Sequence, residues 1–339
     1  MKGTACYLSH SNEVFIDHLV PISDFLKIPL ITYDDNIANL IEKYYQNVDL
    51  QIVNPKNICL YIVKNFQTII ACHSRKEFLI DFGLPMHLLN KKIETIWVPH
   101  GNSDKGKTCY FFEALKEDLN ILIYSNKMKD LLYEKKVLYL FENVIAIGNY
   151  RLEYYKKNKK FFDKIIYEEI SKYLNKNKKT ILYCPTWKDK EDSSSFFKYY
   201  EKLFFSFKNN FNLIVKLHPN SLKVDPHLIF VLRKKYKNIL FLDNITLIYS
   251  LLQITDIYLG DFSSIGYDFL YFNRPMFFLK NNENLHSNLY ECGYILEDNF
   301  FENIEKLLNQ DKIFHKKRKD LYNYTFGNHS LENIYKILK

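Results

Sequence analysis

Short apolar runs alternate along the chain with longer segments of mixed polarity. The runs are TACYL, PLITY, TIIAC, TIWV, ILIY, VIAIG, TILYC, LIVKL, NILFL, IYLG and MFFL. They are rich in Ile, Leu, Val and Tyr, and several lack any polar alternation. A strand without alternation is buried on both faces, which is the pattern of parallel sheets. The segments between them have helical period. In TLIYSLLQI, for example, Leu247, Ile248, Leu251 and Leu252 fall on one stripe. Strands alternating with helices predict an α/β chain with right-handed crossovers.

The Lys- and Asn-rich stretch 151–179 carries no such run and separates six runs from five. The simplest architecture is two doubly wound, Rossmann-like domains facing across a cleft. Their expected bounds are 1–155 and 156–325, with a last helix, 326–339, packing back on the first domain. A length of 339 residues agrees with two domains.

Composition changes this picture little. Hydrophobic residues make up 47% of the chain, enough for sizeable cores. The nine glycines are fewer than half the number that ordinary usage of about 7% would give, so each carries information. The net charge is +8, with lysine runs at Lys156–Lys160, Lys176–Lys179 and Lys316–Lys319. Such runs read first as solvated faces. The second reading is a weak association with anionic membrane lipid or an anionic substrate. No motif supports nucleic-acid binding. None of the six cysteines forms C-x-x-C or a zinc spacing, and Cys72 and Cys184 sit inside apolar runs as core thiols. A reducing cytosol suits them. There is no signal-peptide pattern and no apolar stretch long enough to span a bilayer. The expected location is cytoplasmic, peripheral on the inner membrane face.

In open α/β sheets ligands bind beyond the carboxyl ends of the strands. Polar groups recur there. His73 follows TIIAC; His100, Gly101 and Asn102 follow TIWV; Arg151 follows VIAIG. Thr186, Trp187 and Lys188 follow TILYC; His218 follows LIVKL; Asp261, Ser263 and Ser264 follow IYLG. In the last group a serine is expected to cap the following helix, whose free N–H groups would attract an anion. The competing reading is an ordinary cap without ligand. Asp261 would repel a phosphate and is better suited to orienting a loop or binding a hydroxyl. Lys216 lies two residues before His218 on the same strand face, and the pair suits a phosphoryl group. His100, placed beside a glycine and with a pKa near neutral, could deprotonate an alcohol. A loop histidine bonded to backbone is the plain alternative. His10 and His18 flank the first turn, and His227, His286, His315 and His329 read as surface. The sequence has no H-E-x-x-H, G-x-S-x-G or Walker lysine, which disfavours a zinc-protease site, triad chemistry and a P-loop.

The ordered set PHG, YCPTWKD, KLHPN and TDIYLGDFSSIGYDFLYFNRP resembles the CDP-glycerol glycerophosphotransferase family, which includes teichoic-acid primases and polymerases. The motifs span roughly residues 97–275, and GNYRLEYY at 148–155 is similar to a degenerate form of another family motif. The resemblance implies a GT-B-type fold with an N-terminal acceptor domain and a C-terminal donor domain. It implies a CDP-glycerol or related CDP-polyol donor, a hydroxyl of a glycan or lipid-linked acceptor, and release of CMP. His100 would be the general base. His218 would stabilise the donor phosphates or protonate the leaving group. Thr186, Trp187, Lys188, Lys216, Asp261, Ser263 and Ser264 would line the donor site. Gly101, Asn102, His73 and Arg151 would lie on the acceptor side. No metal or other cofactor is required. Lys188 and Phe262 stand where the family commonly has arginine and tyrosine, which leaves the donor alcohol and polymerisation open. The rival readings are a sugar-nucleotide glycosyltransferase on the same fold, a non-catalytic binding module and a sugar-nucleotide epimerase.

Overall fold

The computed structural model describes residues 3–9, 13–102, 104, 112–188, 192–207, 210–242, 246–281, 286–296 and 304–338. It divides into two compact units. One comprises Met1–Asn102, Cys109–Asn158 and Tyr324–Lys339, the other Ser103–Thr108 and Lys159–Asn323. The chain thus changes unit at Asn158/Lys159 and Asn323/Tyr324, a few residues from the 155/156 and 325/326 of the sequence pattern.

The first unit holds β1 (Thr4–Leu8), β2 (Leu30–Thr32), β3 (Leu50–Ile52), β4 (Thr68–Ala71), β5 (Glu94–Trp97), β6 (Asn120–Ile123) and β7 (Asn143–Ala146), in the order β3-β2-β1-β4-β5-β6-β7. The second holds β8 (Thr180–Cys184), β9 (Asn212–Lys216), β10 (Ile239–Leu242), β11 (Ile257–Gly260), β12 (Met276–Phe278) and β13 (Tyr294–Ile295), in the order β10-β9-β8-β11-β12-β13. Every pairing in both sheets is parallel, with Tyr7 opposite Ile31, Ile70 opposite Ile96 and Leu259 opposite Tyr183. Two strands escape the sequence pattern, so the sheets have seven and six strands rather than six and five. Both are short edge strands: β3 is half-exposed, and β13 has two residues. An edge strand needs no continuous apolar run.

Helices cover the sheets because their apolar faces match them. The helix Arg75–Leu88 starts at a capping box, in which Ser74 and Glu77 exchange side-chain and backbone bonds. It buries Phe78, Phe82 and Met86 on Ala5, Ile31 and Ile69. In the second unit Phe196–Phe207 buries Phe196, Leu203, Phe204 and Phe207 on Ile181, Leu213 and Ile257. Truncating Phe204 to Ala would therefore cost about 3–5 kcal/mol. The last segment, expected as a helix over 326–339, is a 3-10 helix at Leu331–Lys336. Asn333 Nδ2 donates to the Ala146 carbonyl at 2.8 Å, at the end of β7. Gly148 permits this approach. Its φ is 64°, and a Cβ there would lie 2.2 Å from the His329 carbonyl oxygen.

The lysine runs are partly neutralised on the spot. Lys156 pairs with Glu153 at 2.8 Å, Lys157 with Asp24 at 3.1 Å, and Lys159 with Asp163. Within the run 316–319, Arg318 is fully buried and forms a bidentate pair with Asp311. Cys6, Cys72, Cys184 and Cys292 are buried and unbridged, and burial pushes the Cys184 thiol up to about 12. Cys109 and His10 lie outside the described residues.

Candidate active site

Each sheet reverses its strand order once near the middle, between β1 and β4 in the first unit and between β8 and β11 in the second. At such a reversal the flanking crossovers leave in opposite directions and open a crevice beyond the strand ends.

In the first unit this crevice is lined by rings. Ser9 follows β1, His73 follows β4, and Ser9 Oγ lies 2.8 Å from His73 Nε2. Phe15 packs edge-on against His73, with ring centres 5.2 Å apart, and tilted against His100 at 5.1 Å. His100 ends the loop leaving β5. Burial, then the nearby His73, pushes its pKa down to about 4, against a smaller opposing effect of Glu77. The near-neutral value expected from sequence is therefore corrected: the packed ring is neutral at physiological pH. Gly101 has φ 147°, a conformation that favours glycine. The buried Asn102 accepts through its carbonyl from Lys127 Nζ at 3.1 Å.

Beneath this loop lies His18, which the sequence left in a turn region. It is buried on the helix Ile16–Leu26, with its Nδ1 3.2 Å from the Tyr124 hydroxyl and 3.4 Å from that of Tyr150. Tyr124 also donates to the Pro99 carbonyl at 3.2 Å, directly before His100. Burial, Arg151 and His100 hold His18 well below its ordinary pKa. Ser9, Phe15 and Tyr124 likewise gave no sequence signal, because they sit in ordinary apolar or loop contexts. Arg151, expected on the acceptor side, sits in a buried ion pair. Its side chain is 4% exposed and pairs with Asp17 at 2.8 Å, joining the helix Tyr150–Lys157 to Ile16–Leu26.

The second crevice is organised by one carboxylate. Asp261 is completely buried. Its Oδ1 accepts from the Thr186 backbone N–H at 2.8 Å, and its Oδ2 accepts from both the N–H and the hydroxyl of Ser195 at 2.8 Å. The Ser195 hydroxyl also lies 2.8 Å from that of Tyr183, and Ser194 donates to the Thr186 carbonyl at 2.8 Å. Asp261 therefore ties the loop after β8 to the start of the helix Phe196–Phe207. This is the loop-orienting setting for which a carboxylate at that strand end is suited. Ser194 and Ser195 were not anticipated, since a serine run reads as a linker.

Ser263 and Ser264 remain partly exposed above it. Ser264 occupies the N-cap position in helical conformation and makes no side-chain capping bond, which corrects the expected cap. The helix it precedes, Ile265–Phe269, is only five residues long. The glycine of GDFSSIG has a steric reason: a Cβ on Gly260 would lie 2.3 Å from the Tyr258 hydroxyl. His218 begins the helix Pro219–Val224, and its Nδ1 accepts from the Asn220 N–H at 3.1 Å. In the neutral ring that bond places the proton on Nε2. Trp187 stands beside it, ring centres 6.2 Å apart. Lys216 ends β9, one residue beyond the pairing of Val215 with Tyr183 of β8. Lys188 is exposed. No group of three or more potential metal ligands occurs among the described residues.

A family model described as CDP-Glycerol:Poly(glycerophosphate) glycerophosphotransferase matches residues 98–288. The chain belongs to this family. The matched span includes His100, Thr186–Lys188, His218 and Asp261–Ser264. Among relatives, the teichoic acid glycerol-phosphate primase of Bacillus subtilis is 25% identical over 264 residues, covering 71% of this chain and 64% of the primase. The teichoic acid poly(glycerol phosphate) polymerase of Bacillus spizizenii is 27% identical over 212 residues, covering 58% and 49%. The chain thus spans under two thirds of the length of these relatives. Among solved structures, the wall teichoic acid polymerase TagF superposes with a TM-score of 0.68 at 16% identity, covering 99% of this chain and 87% of that one. A UDP-GlcNAc 2-epimerase from Neisseria meningitidis superposes with a TM-score of 0.59 at 15% identity over the full length of both. Likeness at such identities shows the fold, which is the two-domain, Rossmann-like GT-B type.

Proposed function

We propose that the chain transfers a glycerol-phosphate, or a related polyol-phosphate, from a CDP-alcohol to a hydroxyl of a cell-surface glycan or lipid-linked acceptor, releasing CMP. The observation that carries this reading is the family match over 98–288, whose four motifs each stand at the carboxyl end of a parallel strand. The neutral His100 takes the proton of the acceptor hydroxyl. The acceptor oxygen attacks the phosphorus that bears the alcohol, and the bond from that phosphorus to the oxygen bridging to CMP breaks. His218, with its proton on Nε2, donates to the donor phosphates as charge moves onto the leaving group. Thr186, Ser263 and Ser264 hold the pyrophosphate, while Asp261 holds the Thr186 loop in place. The chemistry is positioning and electrostatics, as in other phosphoryl transfers. It needs no metal ion, so EDTA should leave turnover intact.

The test is product identity. Purified protein is incubated with CDP-glycerol, CDP-ribitol, UDP-sugars or GDP-sugars and a membrane or glycan acceptor fraction, and released nucleotides are separated by chromatography. Acceptor-dependent CMP supports the proposal. Release of UDP or GDP instead would make the chain a sugar-nucleotide glycosyltransferase.

A further inference from the structure

His100 sits on a loop with little rigidity of its own. Val98 still donates to the Ala71 carbonyl at 2.9 Å, as part of the sheet. Pro99 then has no N–H to give. Gly101, at φ 147°, lacks the Cβ that would restrict its rotation. A proton acceptor on such a loop must be fixed from outside, because a misplacement of about 1 Å can cost about 10²-fold in rate.

The segment after β6 does this at two points. The Tyr124 hydroxyl donates to the Pro99 carbonyl at 3.2 Å, one residue before His100. Lys127 Nζ donates to the Asn102 carbonyl at 3.1 Å, two residues after it. The two donors stand three residues apart in the chain, and both are buried, Tyr124 at 0% and Lys127 at 6% exposure. An ammonium withdrawn so far from water is costly unless it is bonded, so a lysine here serves what its Nζ touches.

Tyr124 is itself immobilised. Its ring stacks on Tyr150 with centres 6.1 Å apart and meets Phe326 edge-on at 5.5 Å. A phenol has one proton to donate, and the Pro99 carbonyl can only accept it. His18 Nδ1, 3.2 Å from the same hydroxyl oxygen, is therefore the donor in that pair, and the His18 ring carries a proton on Nδ1. His18 thus directs the Tyr124 hydroxyl towards Pro99.

We propose that Tyr124 and Lys127 are positioning residues for His100, forming a two-point clamp on the peptide carbonyls either side of it. The part of this clamp in catalysis rests on the proposed reaction; its hold on the His100 ring does not.

The experiment compares Tyr124→Phe, which keeps the ring and removes the hydroxyl, with Lys127→Met, which keeps the length and removes the ammonium. Each should lower kcat for acceptor-dependent CMP release about 10- to 100-fold. The donor KM should not change, since the donor is assigned to the other unit. In a His100→Ala background the same substitutions should lower the residual rate by less than about twofold, because a positioning residue has nothing left to position. A second readout needs no turnover: long-range proton–nitrogen correlation spectra of protein labelled at its histidine nitrogens, with His100 assigned through His100→Gln. Both variants should shift or broaden the His100 ring signals and leave those of His218 in place. His100 signals unchanged in both variants overturn the proposal, whether or not the protein releases CMP. So does a loss of rate as large in the His100→Ala background as in wild type, which would mean that Tyr124 and Lys127 act independently of His100. A wild type that releases no CMP, with His100 signals that move in both variants, would remove the proposed reaction and keep the clamp.

Discussion

The two crevices share a topology but not a chemistry. In the first unit the reversal between β1 and β4 is walled by His73, His100 and Phe15, and burial keeps His100 neutral. In the second unit the reversal between β8 and β11 is held by Asp261, whose two oxygens are spent on Thr186 and Ser195, leaving Ser263 and Ser264 partly exposed. One crevice suits moving a proton, the other suits holding an anion. The same strand order supplies both, so function follows the few residues beyond the strand ends and not the sheet itself.

The sharpest way to break this contrast is at His100. On the proposed reaction His100→Ala should lower kcat for acceptor-dependent CMP release by about 10²–10⁴-fold, the range for loss of a general base. A wild-type rate in that variant would remove His100 from proton transfer. Next in size is Asp261→Ala. It strands buried donors on Thr186 and Ser195, each at about 1–3 kcal/mol. The melting temperature should drop by several degrees and the donor KM should rise, whereas His100→Ala should leave the donor KM nearly unaltered. Equal melting temperatures for Asp261→Ala and wild type would mean that the clamp is not structural.

Smaller effects sharpen the contrast. Ser263→Ala with Ser264→Ala should weaken donor binding by about 1–3 kcal/mol, the scale of hydrogen bonds to charged groups. Because the Ser264 side chain does not cap the helix, Ser264→Ala alone should leave thermal stability unchanged; a large loss of stability would return this residue to folding. The smallest effect is on pH. His100 has a folded pKa near 4 against about 6.5 unfolded, so the unfolded state binds more protons between those values. Its contribution to stability is therefore complete above pH 6.5 and is lost as pH falls toward 4. His18 acts in the same sense. Asp118, whose carboxyl burial raises to about 7, acts in the opposite sense and is unchanged in the comparison. The difference in melting temperature between wild type and His100→Gln should shrink as pH falls through this window. A constant difference would contradict the buried neutral ring.

Much of this was legible in the sequence, for a physical reason. Continuous apolar runs mark strands buried on both faces, and the polar residues after TIWV, TILYC, LIVKL and IYLG do gather at the strand ends of their own unit. The edge strands β3 and β13 were hidden because half-exposed strands carry no such run. Asp261 as a loop-orienting group was legible from its charge, whereas the setting of Arg151 was hidden because a charged residue at a strand end reads the same whether it meets a ligand or a partner 134 residues away in the chain. His18 was hidden because a histidine on an amphipathic helix does not announce which face it occupies.

The most direct test of the contrast is calorimetric titration of CDP-glycerol into three proteins: wild type, His100→Ala, and Ser263→Ala with Ser264→Ala. The account expects wild-type affinity in His100→Ala and about 5- to 150-fold weaker binding in the serine variant, equivalent to 1–3 kcal/mol. Loss of affinity in His100→Ala with full affinity in the serine variant would contradict it and reverse the roles of the two crevices.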